Sequence, residues 1–220
     1  MWNRLIDGCQ QLAVLGLLGA LLPGCLKDVE TEFPDGMGPL DAVNLATFPS
    51  DDAETMSTTG EATEDWVSVH GRGYVHAPIT AVWAALQDSA VDTDRRRVDE
   101  WLAEDLADDN VDRSYVIHTT VKELISVDYD LTWRHSVVEG TATEPEVVAI
   151  RWQKTFGAAI IEVIEGSITL RNAGDELVEI EVIEHLGAPN QNAEDIELFI
   201  VDLHADAVAF SKDLPLPEFE

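Results

Sequence analysis

The side chains best suited to chemistry are six histidines scattered along the chain. They are His70, His76, His118, His135, His185 and His204. No pair of them has the H-E-x-x-H, H-x-H or histidine–cysteine spacing of a zinc site. The sequence also has no P-loop, no G-x-S-x-G elbow and no motif of a cysteine nucleophile. It therefore predicts no metal and no cofactor, and it leaves any catalytic residue unknown.

Basic side chains on segments with a strand pattern form a second candidate set. The set is Arg72, Arg134, His135, Arg151 and Lys154. A guanidinium that faces a cavity can orient a carboxylate or hydroxyl group of an amphipathic ligand through paired hydrogen bonds, which makes Arg72, Arg134 and Arg151 candidate ligand contacts. The alternative is that these residues pair with Asp and Glu on the outer face of a sheet. The sequence leaves both interpretations open.

The charge balance limits the partners of the protein. The chain has 13 Lys and Arg against 43 Asp and Glu, which gives a formal net charge of −30 at pH 7. Such a field repels phosphate backbones, so nucleic acid is not an expected partner. The acids have no EF-hand spacing, which favours a solvated, aggregation-resistant surface over a metal-binding role.

The first residues indicate export. The apolar run over residues 12–22 has the length of a signal-peptide h-region and is too short to span a bilayer. It ends in Leu-Pro-Gly-Cys, which resembles the lipobox of bacterial lipoprotein signal peptides. The resemblance implies a signal peptide over residues 1–24 and an acylated Cys25. It also implies a lipid-anchored protein of the bacterial cell envelope, periplasmic or outer-membrane associated.

Two residues depart from the usual lipobox pattern. Asp7 is an acid in a region that is normally basic, and Pro23 occupies a position usually held by a small residue. An ordinary cleaved signal peptide and a Cys9–Cys25 disulfide in a retained segment are the alternatives.

Residues 25–65 are interpreted as an acidic tether. They are rich in Asp, Glu, Thr, Pro and Gly and have little periodicity, so they bury too little apolar area to offset the entropy of ordering. Partial docking on the domain stays open because the segment contains Phe33, Met37, Leu40, Leu45 and Phe48. We expect the folded unit to begin at Trp66 and the residues before about 65 to be dispensable for folding.

The stretch from His70 to Asp88 poses a choice between a nucleotide-binding loop and a bent strand. Residues 67–75 alternate with the period of a half-buried strand, and Pro78 precedes a segment with helical apolar spacing. Gly71 and Gly73 lie inside the strand pattern, and the third small residue of a Rossmann fingerprint is missing. The pattern favours a strand bent by glycine and followed by a helix.

The rest of the chain contains further strand patterns and one long amphipathic helix. Strands are predicted over residues 113–121, 124–138, 146–156, 160–171 and 177–186. The closing helix is predicted from Asn192, a suitable N-cap, to Lys212, with an apolar stripe along one face. Residues 94–110 have apolar side chains at helical spacing and are predicted to form a covering helix. In that helix, residues 95–97 would be a solvated face with local ion pairs.

This element order predicts an α+β fold in which an antiparallel sheet wraps its apolar face around the final helix. The segments VSVHGRGYVHAPITAVWAALQD (67–88) and GSITLRNAGDELVEIEVIEHL (166–186), with the closing helix, resemble the START-like superfamily, also called SRPBCC or Bet v 1-like. The resemblance covers about residues 66–213 and leaves a tail at 214–220. It implies the helix-grip fold, with a cavity between the curved sheet and the long helix.

The resemblance implies that the cavity binds an apolar or amphipathic small molecule. The expected lining is Leu131, Trp133, His135, Ile150, Trp152, Phe199 and Leu203. A minority of family members are enzymes, so a general acid/base histidine in the cavity, His135 or His204, is a second hypothesis. An envelope interaction protein with a filled cavity is the third. Because the family has no universal catalytic constellation, a binding protein is the favoured expectation over an enzyme.

Overall fold

The computed structural model describes residues 27–63, 66–122, 126–189 and 191–219. The predicted signal peptide and the predicted acylation site at Cys25 lie outside these residues. Within them, no helix has both the length and the apolar character that crossing a membrane requires.

The described residues form nine strands and three α-helices. The strands are β1 (Asp28–Glu30), β2 (Met56–Ala62), β3 (Val67–Val75), β4 (Glu100–Asp105), β5 (Arg113–Lys122), β6 (Ser126–Thr141), β7 (Glu144–Ala158), β8 (Val163–Gly174) and β9 (Leu177–Gly187). The helices are α1 (Ile79–Ala85), α2 (Ser89–Asp92) and α3 (Ala193–Ser211). A short 3-10 turn spans Ser50–Asp52.

All the strands belong to one antiparallel sheet with the order β2-β3-β9-β8-β7-β6-β5-β4, and β1 pairs with the end of β7. Its inner face packs against α3, and many of the alternate side chains that point inward are fully buried. Examples are Val69, Ile150, Ile168, Leu170, Ile180 and Val182. This is the predicted α+β helix-grip fold, which the structure confirms.

Helix α3 begins and packs as its sequence predicts. The Asn192 side chain accepts a hydrogen bond from the Asp195 backbone N–H at 2.9 Å, which caps the first turn. Ile196, Ile200 and Leu203 are buried against the sheet. The predicted apolar stripe is therefore the contact surface of the helix.

The glycines of β3 permit the close approach of neighbouring elements. A Cβ atom at Gly71 would lie 2.8 Å from Ile200 Cγ2 of α3, and one at Gly73 would lie 2.5 Å from the carbonyl oxygen of Thr55. The strand interpretation of this stretch is confirmed, since β3 continues to Val75 and α1 begins only at Ile79. A side chain larger than hydrogen at Gly71 would force the Ile200 side chain of α3 to shift.

The predicted covering helix over residues 94–110 is wrong. Residues 100–105 form β4, an exposed edge strand that pairs with β5. The prediction rested on the helical spacing of Val98, Trp101 and Leu102. The segment forms a strand instead because the free edge of β5 offers hydrogen-bond partners to its backbone. Trp101 and Leu102 therefore stay exposed instead of covering the core.

The basic run just before β4 holds α3 in place. Arg95 donates two hydrogen bonds to Asp206, each 2.6 Å long. Arg96 pairs with Asp202, and Arg97 pairs with Asp195. These ion pairs join elements about a hundred residues apart in sequence instead of lying within one solvated helix face, which corrects the sequence interpretation. They fix the 94–97 loop over the helix.

The expected start of the folded unit at Trp66 is too late. Strand β2 pairs with β3 from Met56 to Ala62 and also packs against α3. A Cβ atom at Gly60 would lie 2.5 Å from the Cβ of Ala193. Part of the predicted tether is therefore an integral edge of the sheet.

Residues 33–48, which we call the strap, run across the outer face of the sheet. The strap contacts β6, β7, β8, β9 and β3 in turn, through Arg134, Arg151, Ser167, His185 and His70. The rings of Phe48 and Tyr74 lie 5.0 Å apart. The docking that the sequence left open is the arrangement found, because the outer face presents polar side chains that bind the strap backbone.

The pH dependence of strap docking is set in part by His185. Its Nε2 lies 3.0 Å from the Asp41 carboxylate and its Nδ1 lies 3.3 Å from Glu165. Burial alone would lower the pKa of His185, but the hydrogen bonds to Glu165 and Asp41 and the charges of these two carboxylates raise it. His185 therefore favours the folded state in its protonated form.

We expect His185→Asn to destabilise the protein more at pH 6 than at pH 9. A raised folded pKa gives a stabilisation that is complete below the unfolded value of about 6.5 and is lost as the pH rises through the folded value. Chemical denaturation of both proteins at the two pH values measures the difference. Asp41→Asn should reduce the same pH dependence, and an equal or larger cost at pH 9 would contradict the assignment.

Candidate ligand-binding site

A cavity of about 410 Å³ lies between the inner face of the sheet and the first half of α3. Its apolar wall consists of Ile117, Val121, Val127, Tyr129, Leu131, Trp133, Trp152, Ile164, Leu186, Ile196 and Phe199. The lining is completed by Asp92, Thr93, Asp94, Arg97, Val98, Thr119, Ile160, Ile161, Glu184, Ala188, Pro189 and Asp195. The ion pairs of the 94–97 loop with α3 thus hold part of the cavity wall.

Four of the seven predicted lining residues face this cavity. They are Leu131, Trp133, Trp152 and Phe199. His135, Ile150 and Leu203 lie instead in the solid core, each at most 1% exposed. Helix α1 packs against both α3 and β7 and occupies the space under that part of the long helix. The cavity is therefore confined to the other end of the sheet.

Stacked aromatic rings form the floor of the cavity. The Trp133 and Trp152 rings stack with centroids 4.7 Å apart, and Tyr115 stacks on Trp133 at 6.2 Å. Both tryptophans are fully buried, and the Trp152 indole lies directly over Gly166 of the neighbouring strand. The stack makes this part of the wall rigid.

Glu184 is the most unusual polar group of the cavity. It follows Val178, Ile180 and Val182 on the inward phase of β9, is only 6% exposed, and its Oε2 has no hydrogen-bond partner among the described residues. Burial, and then the charge of Asp94, raise its pKa well above the usual value. Sequence reasoning missed Glu184, although an acid on the apolar phase of a strand was a visible signal.

Asp92, at the end of α2, is a second buried carboxyl group on the lining. Its Oδ2 accepts a hydrogen bond from the Tyr115 hydroxyl at 2.5 Å, whereas its Oδ1 has no partner among the described residues. Burial raises its pKa well above the usual value, against the lowering effect of the Tyr115 hydrogen bond. No sequence motif identified this residue.

The three arginines predicted to contact a ligand lie on the opposite face of the sheet from the cavity. Arg72 pairs with Glu181 at 2.8 Å and Arg134 with Asp108 at 3.0 Å, while Arg151 donates to the Gly38 carbonyl at 2.9 Å. For Arg72 and Arg134 this is the outer-face pairing with acids that the sequence left open, and none of the three arginines lines the inner cavity. Side chains alternate along a strand, so Arg134 cannot share a face with Trp133, nor Arg151 with Trp152.

A second cavity, of about 670 Å³, lies between the strap and the outer face of the sheet. Arg72, Glu181 and Arg171 line it together with Asp41 and Asn44 of the strap, and the rest of its lining includes apolar residues of the strap and of the sheet. Val43, also on its lining, is 65% exposed. The inner cavity, with its aromatic floor and helix roof, is the better site for an apolar molecule.

His135 belongs to a buried hydrogen-bond chain behind the cavity wall. The Trp83 indole donates to His135 Nδ1 at 3.3 Å, so Nε2 carries the proton and donates to the Tyr115 hydroxyl at 3.1 Å. Burial, and then the charge of Arg113, lower the pKa of His135 to about 3. The imidazole is therefore neutral. It is linked to Asp92, on the cavity lining, through the Tyr115 hydroxyl.

His204 also lies away from the cavity. Its Nε2 hydrogen-bonds to the Tyr74 carbonyl at 2.9 Å, and burial lowers its pKa. Neither histidine of the enzyme hypothesis thus lines the site where a substrate would bind. In the described part of the chain, no group of three or more His, Cys, Asp or Glu side chains is placed to hold a metal ion.

No protein-family model and no curated protein sequence matches the chain. Solved structures similar to it include the human StarD13 lipid transfer and protein localization domain, at 10% identity and a TM-score of 0.48, over 77% of this chain and 87% of that one. A STAR-related lipid transfer protein from Xanthomonas axonopodis has 14% identity and a TM-score of 0.45, over 74% and 95%. Zhui aromatase/cyclase from Streptomyces has 13% identity and a TM-score of 0.43, over 66% and 90%.

Proposed function

We propose that this protein is a START-like domain that binds an apolar or amphipathic small molecule in the inner cavity. The observation that carries the proposal is the cavity of about 410 Å³ under α3, lined by aliphatic and aromatic side chains with a few buried polar groups. This volume is within the range of roughly 300–1,000 Å³ that is common for small-molecule sites. An empty apolar cavity destabilises a fold, and a bound ligand would offset that cost.

The roof of the cavity supports the same proposal. The 94–97 loop is fixed to α3 by three arginine–aspartate pairs, and α3 is fixed to β2 and β3 by close packing. A wall held in this way keeps the cavity formed without a ligand, so binding requires little reorganisation.

We expect an apolar fluorophore to bind the described domain and Leu131→Trp to abolish its binding. Leu131 is a partly buried residue of the cavity wall, so the larger side chain fills free space at little cost in stability. Fluorescence titration measures binding, and Leu198→Trp on the exposed side of α3 is the matched control. Leu203→Trp, in the solid core, should instead cost about 1–3 kcal/mol. A dye that fails to bind the wild type would contradict the proposed function.

We further propose that the domain is held in a bacterial cell envelope by acyl chains on Cys25. The support is the sequence alone: an apolar run followed by Leu-Pro-Gly-Cys. Labelled palmitate should enter the wild type expressed in a bacterial host and should not enter Cys25→Ser, whereas Cys9→Ser should still be labelled. Equal labelling of wild type and Cys25→Ser would contradict the anchor.

A further inference from the structure

The cavity has an excess of acidic groups that its own cation does not neutralise. Four carboxyl groups and one guanidinium line it, namely Asp92, Asp94, Asp195, Glu184 and Arg97. Arg97 is already engaged by Asp195 and lies 3.8 Å from Asp94. Among the described residues neither Asp92 nor Glu184 forms an ion pair, although the charge of Arg113 acts on Asp92.

These two carboxyl groups are also the most deeply buried acids of the lining. Asp92 is 2% and Glu184 is 6% exposed, and each has one oxygen without a hydrogen-bond partner in the described part of the chain. A buried carboxyl group that lacks a partner costs free energy. Glu184 faces the cavity from the middle of a strand whose other inward side chains are apolar, so nothing in the fold itself requires an acid there.

A ligand that enters this cavity meets the unpaired carboxyl oxygens of Asp92 and Glu184. It also meets two groups that can donate and have no partner among the described residues, the Trp133 indole N–H and the Thr93 hydroxyl. A carboxylate ligand would be repelled by Glu184 and Asp92 or would force both to stay protonated. An alcohol supplies one neutral donor. An ammonium group supplies three donors and the missing positive charge, and its bond to a buried carboxylate is the strongest of the three.

We propose that the cavity selects amphiphiles with a basic amine head group, which Glu184 binds as a charge-assisted pair, and that it discriminates against fatty acids. This inference rests on the proposed function, since it specifies the ligand class of the same cavity. Asp92 adds a second acceptor at the wall, and Tyr129 and Asp94 are the other titratable groups near Glu184. The net charge of −30 also attracts such cations to the protein.

Three ligands with the same alkyl chain test the proposal: decylamine, decanol and decanoate. Displacement of a neutral apolar fluorophore at pH 7 should give an affinity for decylamine at least about tenfold above those for decanol and decanoate. Glu184→Gln keeps the shape of the side chain and removes its charge. It should therefore weaken the affinity for decylamine by about tenfold and change the affinity for decanol by less than about threefold. Glu179→Gln, on the outer phase of the same strand, removes one charge and should change neither affinity.

A second measurement uses the wild-type protein. Because burial raises the pKa of Glu184 and an ammonium partner lowers it again, decylamine should release protons on binding and should bind more tightly as the pH rises through the range in which Glu184 titrates. Calorimetry in buffers of different ionisation enthalpy measures the released protons, and Glu184→Gln should release fewer.

Equal affinities for the three ligands, or a wild-type ranking that Glu184→Gln leaves unchanged, would overturn the amine proposal while the proposed binding function stands. Unchanged proton release in Glu184→Gln would likewise remove Glu184 from the site. If the fluorophore itself does not bind the wild type, the proposed function falls, and the amine proposal falls with it.

Discussion

A chain that begins at Trp66 is expected to lose on the order of 5 kcal/mol or more of its stability, a large part of what a domain of this size has. The truncation removes β1, β2 and the strap. The edge of β3 then loses its strand partner, and buried outer-face groups such as His70, Ser167 and Arg151 are exposed or left without partners. Unpaired strand edges and unsatisfied buried polar groups are both costly.

Thermal unfolding measures the effect of this truncation. The melting temperature should fall by about 10–20 °C, or the cooperative transition should be lost. A chain that begins at Lys27 keeps every contact described here and is the control. A chain that begins at Asp51 retains β2 without the strap and should be intermediate. Melting of the Trp66 chain within about 2 °C of the control would contradict the structural role of residues 27–62.

Gly166→Ala is expected to destabilise the protein by about 3 kcal/mol or more, at the upper end of the range for overpacked cores. A Cβ atom at Gly166 would lie 1.9 Å from Cζ2 of Trp152. Trp152 cannot move away, because it is fully buried and its ring stacks on Trp133. The clash therefore disrupts the aromatic floor of the cavity.

Two variants separate this clash from a general effect of alanine in a strand. Gly174→Ala, in the same strand, meets no atom closer than 3.8 Å and should change stability by less than about 0.5 kcal/mol. In a Trp152→Phe background the smaller ring leaves room, so Gly166→Ala should cost less than about 1 kcal/mol. Denaturant unfolding of the wild type, Gly166→Ala, Trp152→Phe and the double variant gives the coupling energy between the two positions. An undiminished cost in the Phe background would show that Trp152 is not the obstacle.

The fold class could be predicted from the sequence because its determinants are local and periodic. The alternation in β3 and in β5 to β9, and the apolar stripe of α3 with its Asn192 cap, are present in the order of the residues. The short strands β1, β2 and β4 could not be predicted. Their residues are polar or have helical spacing, and they form strands only because β7, β3 and β5 offer free backbone groups.

The candidate site was predictable in part for the same reason. The two-residue period placed Leu131, Trp133 and Trp152 on the inward face, and a strict use of that period would also have turned Arg134 and Arg151 outward. It would likewise have identified Glu184 as an acid on the inward phase of β9.

Tertiary packing alone decided where along that inward face the cavity lies. Helix α1 fills the space over His135 and Ile150, whereas the 92–98 loop and the start of α3 leave space over Trp133 and Glu184. Each sequence period specifies which face of an element is apolar. It does not specify which distant segment covers that face, because covering depends on contacts such as Arg95–Asp206, whose members are about a hundred residues apart in sequence.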